Sequence, residues 1–219
     1  MNTQFSKVIK HLSQTTLLIM ATVFPNASYA DSINPQVLLE KMINATFERI
    51  ETDRESIKSN PDHLLVIIEQ ELIPYVDYRF AVFKVLGNQF RTVPKDKIPE
   101  FVGEFKQYLV AKFAAVLGNY GGQELLFEPA KEPTDKTKVS IKAVIRQEGG
   151  PDIRISFKLR KNQNTEEWKT YDLEAQGISL LSSKRSEFAA IIRQQGIQVA
   201  IDIMRNSNSQ SLNIASTVN

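Results

Sequence analysis

The hydrophobic residues of this 219-residue chain change their period near Gln123, and this change limits the folds that are open to it. Between Pro94 and Gly118, apolar residues recur at every third or fourth position, which is typical of an amphipathic helix. After Gln123, they alternate with polar residues on both sides of Gly149-Gly150-Pro151. This alternation predicts a β-hairpin with one apolar face and one mostly charged face.

Two further segments have the composition of strands and flank this hairpin. Residues 125–128 precede it, and residues 168–173, which include Trp168 and Tyr171, follow it. The sequence therefore predicts a four-stranded antiparallel meander. Because its apolar face must be covered, we expect an α+β fold with the N-terminal helices and a C-terminal helix packed on that face.

Helix start and stop signals divide the chain before the sheet. Asn34-Pro35 begins a first helix that we expect to run to about Ser59, because proline is tolerated at the first helical position. Asn60-Pro61-Asp62 repeats this signal, and Pro74 interrupts the second helix. The next segment, 75–87, is apolar on nearly every side, so as a helix it must be buried or must face a ligand.

The end of the sheet is predicted from glycine and serine positions. Gly177 can take backbone angles that other residues avoid, so we expect the chain to leave the sheet there. A last helix should then begin near Lys184, with Ser182 or Ser183 as its cap, and should break at Gly196.

The first thirty residues have the pattern of a secretory signal peptide. Lys7 and Lys10 supply a positive region, residues 17–24 form an apolar run, and Ser28-Tyr29-Ala30 places small residues at the two cleavage-site positions. We expect export and cleavage after Ala30. A buried N-terminal core helix is the alternative interpretation.

Composition excludes several classes of function for the remaining chain. Removal of the two leader lysines leaves 25 basic and 25 acidic residues, so there is no bulk electrostatic case for nucleic acid. The absence of cysteine excludes disulfides and thiol chemistry. The length predicts a single domain over residues 31–205, and the polar composition of residues 206–219 predicts a disordered tail.

Few residues of the sequence are suited to catalysis. His63 is the only histidine after the leader, and it lies in the first turn of a predicted helix, where a surface histidine is the simpler interpretation. No Gly-x-Ser-x-Gly motif is present, and the carboxylates are scattered along helix faces. We therefore expect no catalytic residue, metal site or cofactor, which leaves binding.

Four segments, taken in order, resemble the MlaC family of periplasmic phospholipid carriers, also called toluene-tolerance proteins. They are residues 71–76, 85–87, 105–109 and 168–188, and the similarity extends to about residue 203. The resemblance implies that a helical layer and the sheet enclose a hydrophobic cavity for the acyl tails of a phospholipid. It also implies that the protein carries phospholipid between the outer and inner membranes, which maintains the lipid asymmetry of the outer membrane. The resemblance implies no enzymatic activity.

The resemblance also implies site residues and partners. The residues expected to contact lipid are Tyr75, Val76, Phe80, Leu86, Phe113, Ile153, Ile155, Phe157, Leu159 and Ile178. The expected partners are a phospholipid, an inner-membrane ABC transporter with a hexameric periplasmic ring, and an outer-membrane lipoprotein with its porin. The implied location is the periplasm of a Gram-negative cell, and the protein is expected to be a monomer.

Two alternatives stay open at this point. The cavity could carry a small hydrophobic solvent molecule, as the older family name suggests. It could also belong to an enzyme in which Asp77 or Asp172 acts as a general base inside the cavity.

Overall fold

The computed structural model describes residues 34–129, 137–147 and 149–215, with side chains up to residue 208. The predicted leader, residues 1–30, and residues 216–219 lie outside this described part. The helices are α1 Pro35–Thr52, α2 Arg54–Ser59, α3 His63–Ile67, α4 Tyr78–Leu86, α5 Lys97–Leu117, α6 Leu180–Gln195 and α7 Ile197–Ala215. Within the described ranges, none of these helices is long and apolar enough to cross a membrane.

The N-terminal helices follow the predicted signals, with differences at their junctions. Asn34 accepts a hydrogen bond from the Gln36 backbone N–H at 2.9 Å and caps α1. The chain then breaks at Asp53, so that the predicted single helix becomes α1 and α2. After α3, one π-helical segment, Ile68–Leu72, and one 3₁₀ turn, Ile73–Tyr75, precede α4.

The sheet is an antiparallel meander in the order β1 to β5. Its strands are β1 Leu125–Phe127, β2 Lys138–Ile145, β3 Ile153–Lys161, β4 Trp168–Ala175 and β5 Ile178–Ser179. The predicted α+β class and antiparallel meander are therefore confirmed, with β5 as a short additional strand.

The predicted exit from the sheet at Gly177 is wrong. Gln176 and Gly177 have φ angles of 50° and 81°, and this pair turns the chain directly back into β5. Two consecutive residues with positive φ form the kind of tight turn whose twist fits a hairpin. Gly177 is needed for this turn, and the sheet continues for two more residues.

The start of α6 also differs from the prediction. The helix begins at Leu180, four residues before Lys184, and Ser179 caps it by accepting a hydrogen bond from the Ser182 backbone N–H at 2.9 Å. The predicted break at Gly196 is confirmed, with a φ of 87°. The following helix, α7, ends at Ala215 and so includes residues 206–215 of the segment whose composition predicts a disordered tail.

Two groups of helices pack against different parts of the sheet. The apolar face carries Ile141, Leu159 and Trp168, which form a core cluster with Leu39 and Met42 of α1. Helices α4 and α6 contact β4, and α5 and α7 pack on them through a second cluster that is rich in aromatic residues. The space between α4, α5, α6 and β4 contains the cavity described next.

Candidate binding cavity

A cavity of about 90 Å³ lies between α4, α5, α6 and β4. One wall is a single face of α5, because its residues are spaced by three, four and eight positions from Phe105. The α5 wall consists of Phe105, Tyr108, Leu109 and Phe113. Leu180, Leu181 and Lys184 of α6 form a second wall, and Val76 and Ala81 contribute from the α4 side.

The β4 wall is formed by four consecutive residues, 170–173. In a regular strand, successive side chains point to opposite faces, so only alternate residues would be expected on one wall. The β3–β4 register shifts between Lys158 and Leu159, which pair with Asp172 and Thr170. Tyr171 is therefore the extra residue of a β-bulge, and a bulge of this kind redirects side chains.

Asp77 joins the start of α4 to the sheet beside the cavity. Its backbone N–H donates to the Thr170 carbonyl at 2.8 Å, and Val76 forms a parallel bridge with Thr170. The Asp77 carboxylate accepts from the Phe80 backbone N–H at 3.0 Å and from Arg160 Nη1 at 2.6 Å. It therefore caps α4 and pairs with a cation from β3 at the same time.

An aromatic contact extends this junction to the cavity wall. The Arg160 guanidinium lies 4.2 Å from the centroid of the Phe80 ring. Phe80 in turn meets the cavity residue Tyr171 edge to face, with ring centroids 5.2 Å apart. Burial raises the pKa of the Tyr171 hydroxyl, so this group is protonated at neutral pH.

Asp172 is the buried carboxylate of the cavity wall, with only 7% of its surface exposed. It accepts hydrogen bonds from the Leu181 backbone N–H at 3.0 Å and from Ser179 Oγ at 2.8 Å, and Lys158 Nζ lies 3.5 Å away. These contacts attach the first turn of α6 to β4 and compensate the charge.

Lys184 brings a cation to the same wall. Its Nζ lies 5.2 Å from the centroid of the Tyr108 ring and donates to Glu187 Oε2 at 2.6 Å. Burial by itself lowers the pKa of the Lys184 ammonium, but its hydrogen bonds and charge interactions with Glu187 and Tyr108 together outweigh this effect and raise the pKa overall. Lys184 is therefore charged at neutral pH.

The ten residues predicted to contact lipid are distributed over several places. Val76 and Phe113 line this cavity, and Phe80 contacts its wall. Leu86 is buried in the helical core, while Tyr75, Phe157 and Leu159 pack in the cluster that includes α1. Ile153 and Ile155 are half-buried on β3, and Ile178 is 63% exposed on β5. Their contact with lipid stays a prediction.

Of the residues that line the cavity, only Val76 and Phe113 were predicted to contact lipid. The α5 wall had a signal, since Phe105, Tyr108 and Leu109 share one helical stripe, but a stripe of this kind also predicts ordinary core packing. Nothing in the sequence indicated the bulge at Tyr171. In the described part of the chain, no three or more potential metal-ligating side chains come together.

The fold and the cavity define a class of α+β proteins in which helices and an antiparallel sheet enclose an apolar pocket. The family model described as MlaC protein matches residues 40–206, and the chain therefore belongs to the MlaC family, as the sequence resemblance predicted.

The proteins that are similar to this chain include one relative from Haemophilus influenzae and one solved structure from Ralstonia solanacearum. The intermembrane phospholipid transport system binding protein MlaC of Haemophilus influenzae is 30% identical over 198 residues, which cover 90% of this chain and 92% of that protein. The solved structure of a phospholipid-binding protein from Ralstonia solanacearum, in complex with a phospholipid, has the same fold, with a TM-score of 0.71. At 19% identity, the match covers 81% of this chain and 98% of that one.

Proposed function

We propose that this protein is a phospholipid carrier that holds the acyl tails of a lipid inside the fold and moves the lipid between two membranes. The observation that carries this proposal is the apolar cavity, whose walls are formed by α5, α6 and the bulged strand β4. The MlaC relative in Haemophilus influenzae and the lipid-bound Ralstonia solanacearum protein support phospholipid as the ligand.

The size of the cavity indicates that lipid binding requires movement. Its volume of about 90 Å³ is far below the roughly 300–1,000 Å³ of pockets that bury a drug-sized ligand. Two acyl tails therefore fit in this cavity only if its walls move apart. The α4 side is suited to this movement because non-covalent contacts hold it to β3 and β4, whereas α6 follows β5 in the chain without a break.

The energetics of tail burial favour transfer by direct contact. Two tails contain on the order of 30 methylenes, and at roughly 0.8 kcal/mol each their burial is worth about 20–25 kcal/mol before ordering costs are counted. This is near the limit of non-covalent affinity, so a bound lipid would rarely leave into water. Release instead requires a partner that offers another apolar environment and favours an open conformation of the carrier.

The setting we propose is the periplasm, reached through a leader over residues 1–30 that is cleaved after Ala30. The partners that fit this setting are an outer-membrane lipoprotein with its porin and an inner-membrane ABC transporter with a periplasmic ring. The name of the Haemophilus influenzae relative, which includes an intermembrane phospholipid transport system, supports this assignment.

A small apolar molecule is a second candidate ligand, because a cavity of about 90 Å³ could hold one without movement of the walls. The alternative that the protein is an enzyme with a general base in its cavity receives less support. Asp77 and Asp172, the two carboxylates considered as general bases, are already engaged by backbone N–H groups and by Arg160 or Lys158.

Mass spectrometry of an organic extract from detergent-free protein tests these assignments. We expect nearly one diacyl phospholipid for each protein molecule. Phe113→Glu places a charge in the cavity wall and should abolish lipid retention. Val116→Glu lies on the same helix, at a side chain that is 70% exposed, and should retain lipid. A small apolar molecule in the extract would support the second candidate, and an extract without any ligand would contradict both.

A further inference from the structure

Lys184 is the residue of the cavity that the proposed function does not yet explain. Of the described residues that line the cavity, it alone carries a positive charge. Its side chain is 31% exposed, so that the ammonium can meet solvent while the aliphatic part contacts the apolar wall. This is the position that the boundary between a lipid's tails and its head group would occupy.

The neighbouring charges are already matched by partners of their own. Asp172 accepts from Leu181 and Ser179 and lies near Lys158, which also pairs with Glu174. Because Lys158 already has two carboxylate partners, it offers little additional attraction to an anionic group of a ligand in the cavity.

The partner of Lys184 is more easily exchanged. Glu187 lies three positions further along α6, and its side chain is 45% exposed. Because water solvates the exposed Glu187 carboxylate well, exchanging this partner costs less than breaking a fully buried pair. A phosphate group can replace Glu187 with charge-assisted hydrogen bonds of its own.

From this geometry we propose that Lys184 binds the phosphate of the carried lipid at the mouth of the cavity, replacing its contact with Glu187. This inference rests on the proposed phospholipid function and extends it to a residue that determines specificity. It predicts that the protein distinguishes a phospholipid from a neutral lipid with the same acyl chains.

Lys112 provides a matched control. Its Nζ lies 5.3 Å from the centroid of the same Tyr108 ring, compared with 5.2 Å for Lys184. Lys112 is exposed on α5 and is not among the residues of the cavity wall. Lys112→Met and Lys184→Met therefore each remove one positive charge at a similar distance from the same ring, but only the second alters the cavity wall.

The experiment offers the protein vesicles of dioleoyl phosphatidylglycerol that contain a minor share of dioleoylglycerol. The two lipids recovered on the protein are quantified, and their ratio is compared with that in the vesicles. The wild-type protein should enrich the phospholipid. Lys184→Met should lose this enrichment by about tenfold, the effect of one lost charge-assisted contact, while Lys184→Arg and Lys112→Met should keep it.

Several results would overturn the inference. These are an unchanged enrichment in Lys184→Met, an equal loss in Lys112→Met, or equal binding of both lipids by the wild type. Lys184→Gln is a second neutral variant, and circular dichroism shows which variants are folded. Saturable, Lys184-dependent binding of inorganic phosphate to lipid-free protein would assign the site to free phosphate instead. A wild-type protein that binds neither lipid would contradict the proposed function itself.

Discussion

At the scale of single residues, Asp77 combines three contacts at the place where α4 meets the sheet. Its N–H bonds to Thr170, its carboxylate caps α4 through the Phe80 N–H, and the same carboxylate pairs with Arg160. Arg160 also lies over the Phe80 ring, at 4.2 Å from the centroid. One ion pair therefore orients a backbone junction and an aromatic side chain beside the cavity.

Replacing Arg160 tests how much this pair contributes. Arg160→Met removes the ion pair and the contact with Phe80 but keeps an apolar chain, and we expect a loss of about 1–2 kcal/mol in the free energy of unfolding. Urea denaturation measures this loss. Arg54→Met is the control, because the pair of Arg54 on α2 with Glu51 on α1 is about half exposed and should contribute less than about 0.5 kcal/mol. Equal losses in the free energy of unfolding would show that the Arg160–Asp77 pair stabilises the fold no more than the exposed Arg54–Glu51 pair.

At the scale of secondary-structure elements, the junction of β4 and α6 shows where sequence reasoning succeeds and fails. The alternation of apolar residues predicted β2 and β3, because one face of the sheet is buried and the other is mostly polar, and composition predicted most of β4. The helix cap was assigned to Ser182 or Ser183, whereas Ser179 fulfils this role. Three nearby serines give the same local signal, and only the tertiary contact of Ser179 with Asp172 distinguishes them.

Serine replacements test this assignment of the cap. Ser179→Ala removes the bond from the Ser182 N–H and the bond to Asp172, and should lower the free energy of unfolding by about 1 kcal/mol or more. Ser182→Ala, at an exposed position within the first turn, should change it by less than about 0.5 kcal/mol. Chemical denaturation of both variants gives the comparison, and a larger loss for Ser182→Ala would contradict the observed cap.

The junction of α1 and α2 should be sensitive to acid through Asp53. Hydrogen bonds from Arg49 and then His63, at 2.6 and 2.7 Å, lower the pKa of the Asp53 carboxyl below its ordinary value of 3.8. Because the pKa is lowered in the folded state, the stabilisation is present above about pH 4 and is lost as the pH falls through the lowered value.

Thermal unfolding of Asp53→Asn tests this dependence on pH. The melting temperature of the variant should lie below that of the wild type at pH 7, and this difference should shrink as the pH is lowered toward about 2 and acid protonates the wild-type carboxyl. Glu48→Gln, at an exposed position on α1, should show no such change in the difference. If the melting temperatures of the wild type and Asp53→Asn differ by the same amount at pH 7 and at low pH, the variant is destabilised by altered packing and not by loss of the charge.

At the scale of the whole molecule, the fold class followed from the sequence but the place of the cavity did not. The family resemblance implied that one apolar sheet face, made of Ile153, Ile155, Phe157 and Leu159, lines the cavity. In the structure, Phe157 and Leu159 pack in a cluster with α1, and the cavity lies beside the bulge at Tyr171. Periodicity identifies a buried face, but it does not tell which element covers that face.

The proposed opening of the cavity can be tested with a designed disulfide, because the chain contains no cysteine of its own. Val76 and Thr170 are bridge partners, and paired strands lie about 4.8 Å apart, which suits a disulfide. Val76→Cys with Thr170→Cys should block lipid exchange with vesicles when oxidised and restore it when reduced, since the bond holds α4 against β4.

A second cysteine pair separates this effect from a general effect of oxidation. Ser140 and Ser156 lie on the polar face of β2 and β3, with their Oγ atoms 2.7 Å apart, away from the cavity wall. Ser140→Cys with Ser156→Cys should exchange lipid at the same rate in both redox states, because the neighbouring strands are already joined by their backbone ladder. The oxidised Val76–Thr170 variant could also exchange lipid as fast as the same variant does when its cysteines are reduced. In that case, the cavity opens without separation of α4 from the sheet. Movement of α5 or α6 would then have to admit the tails.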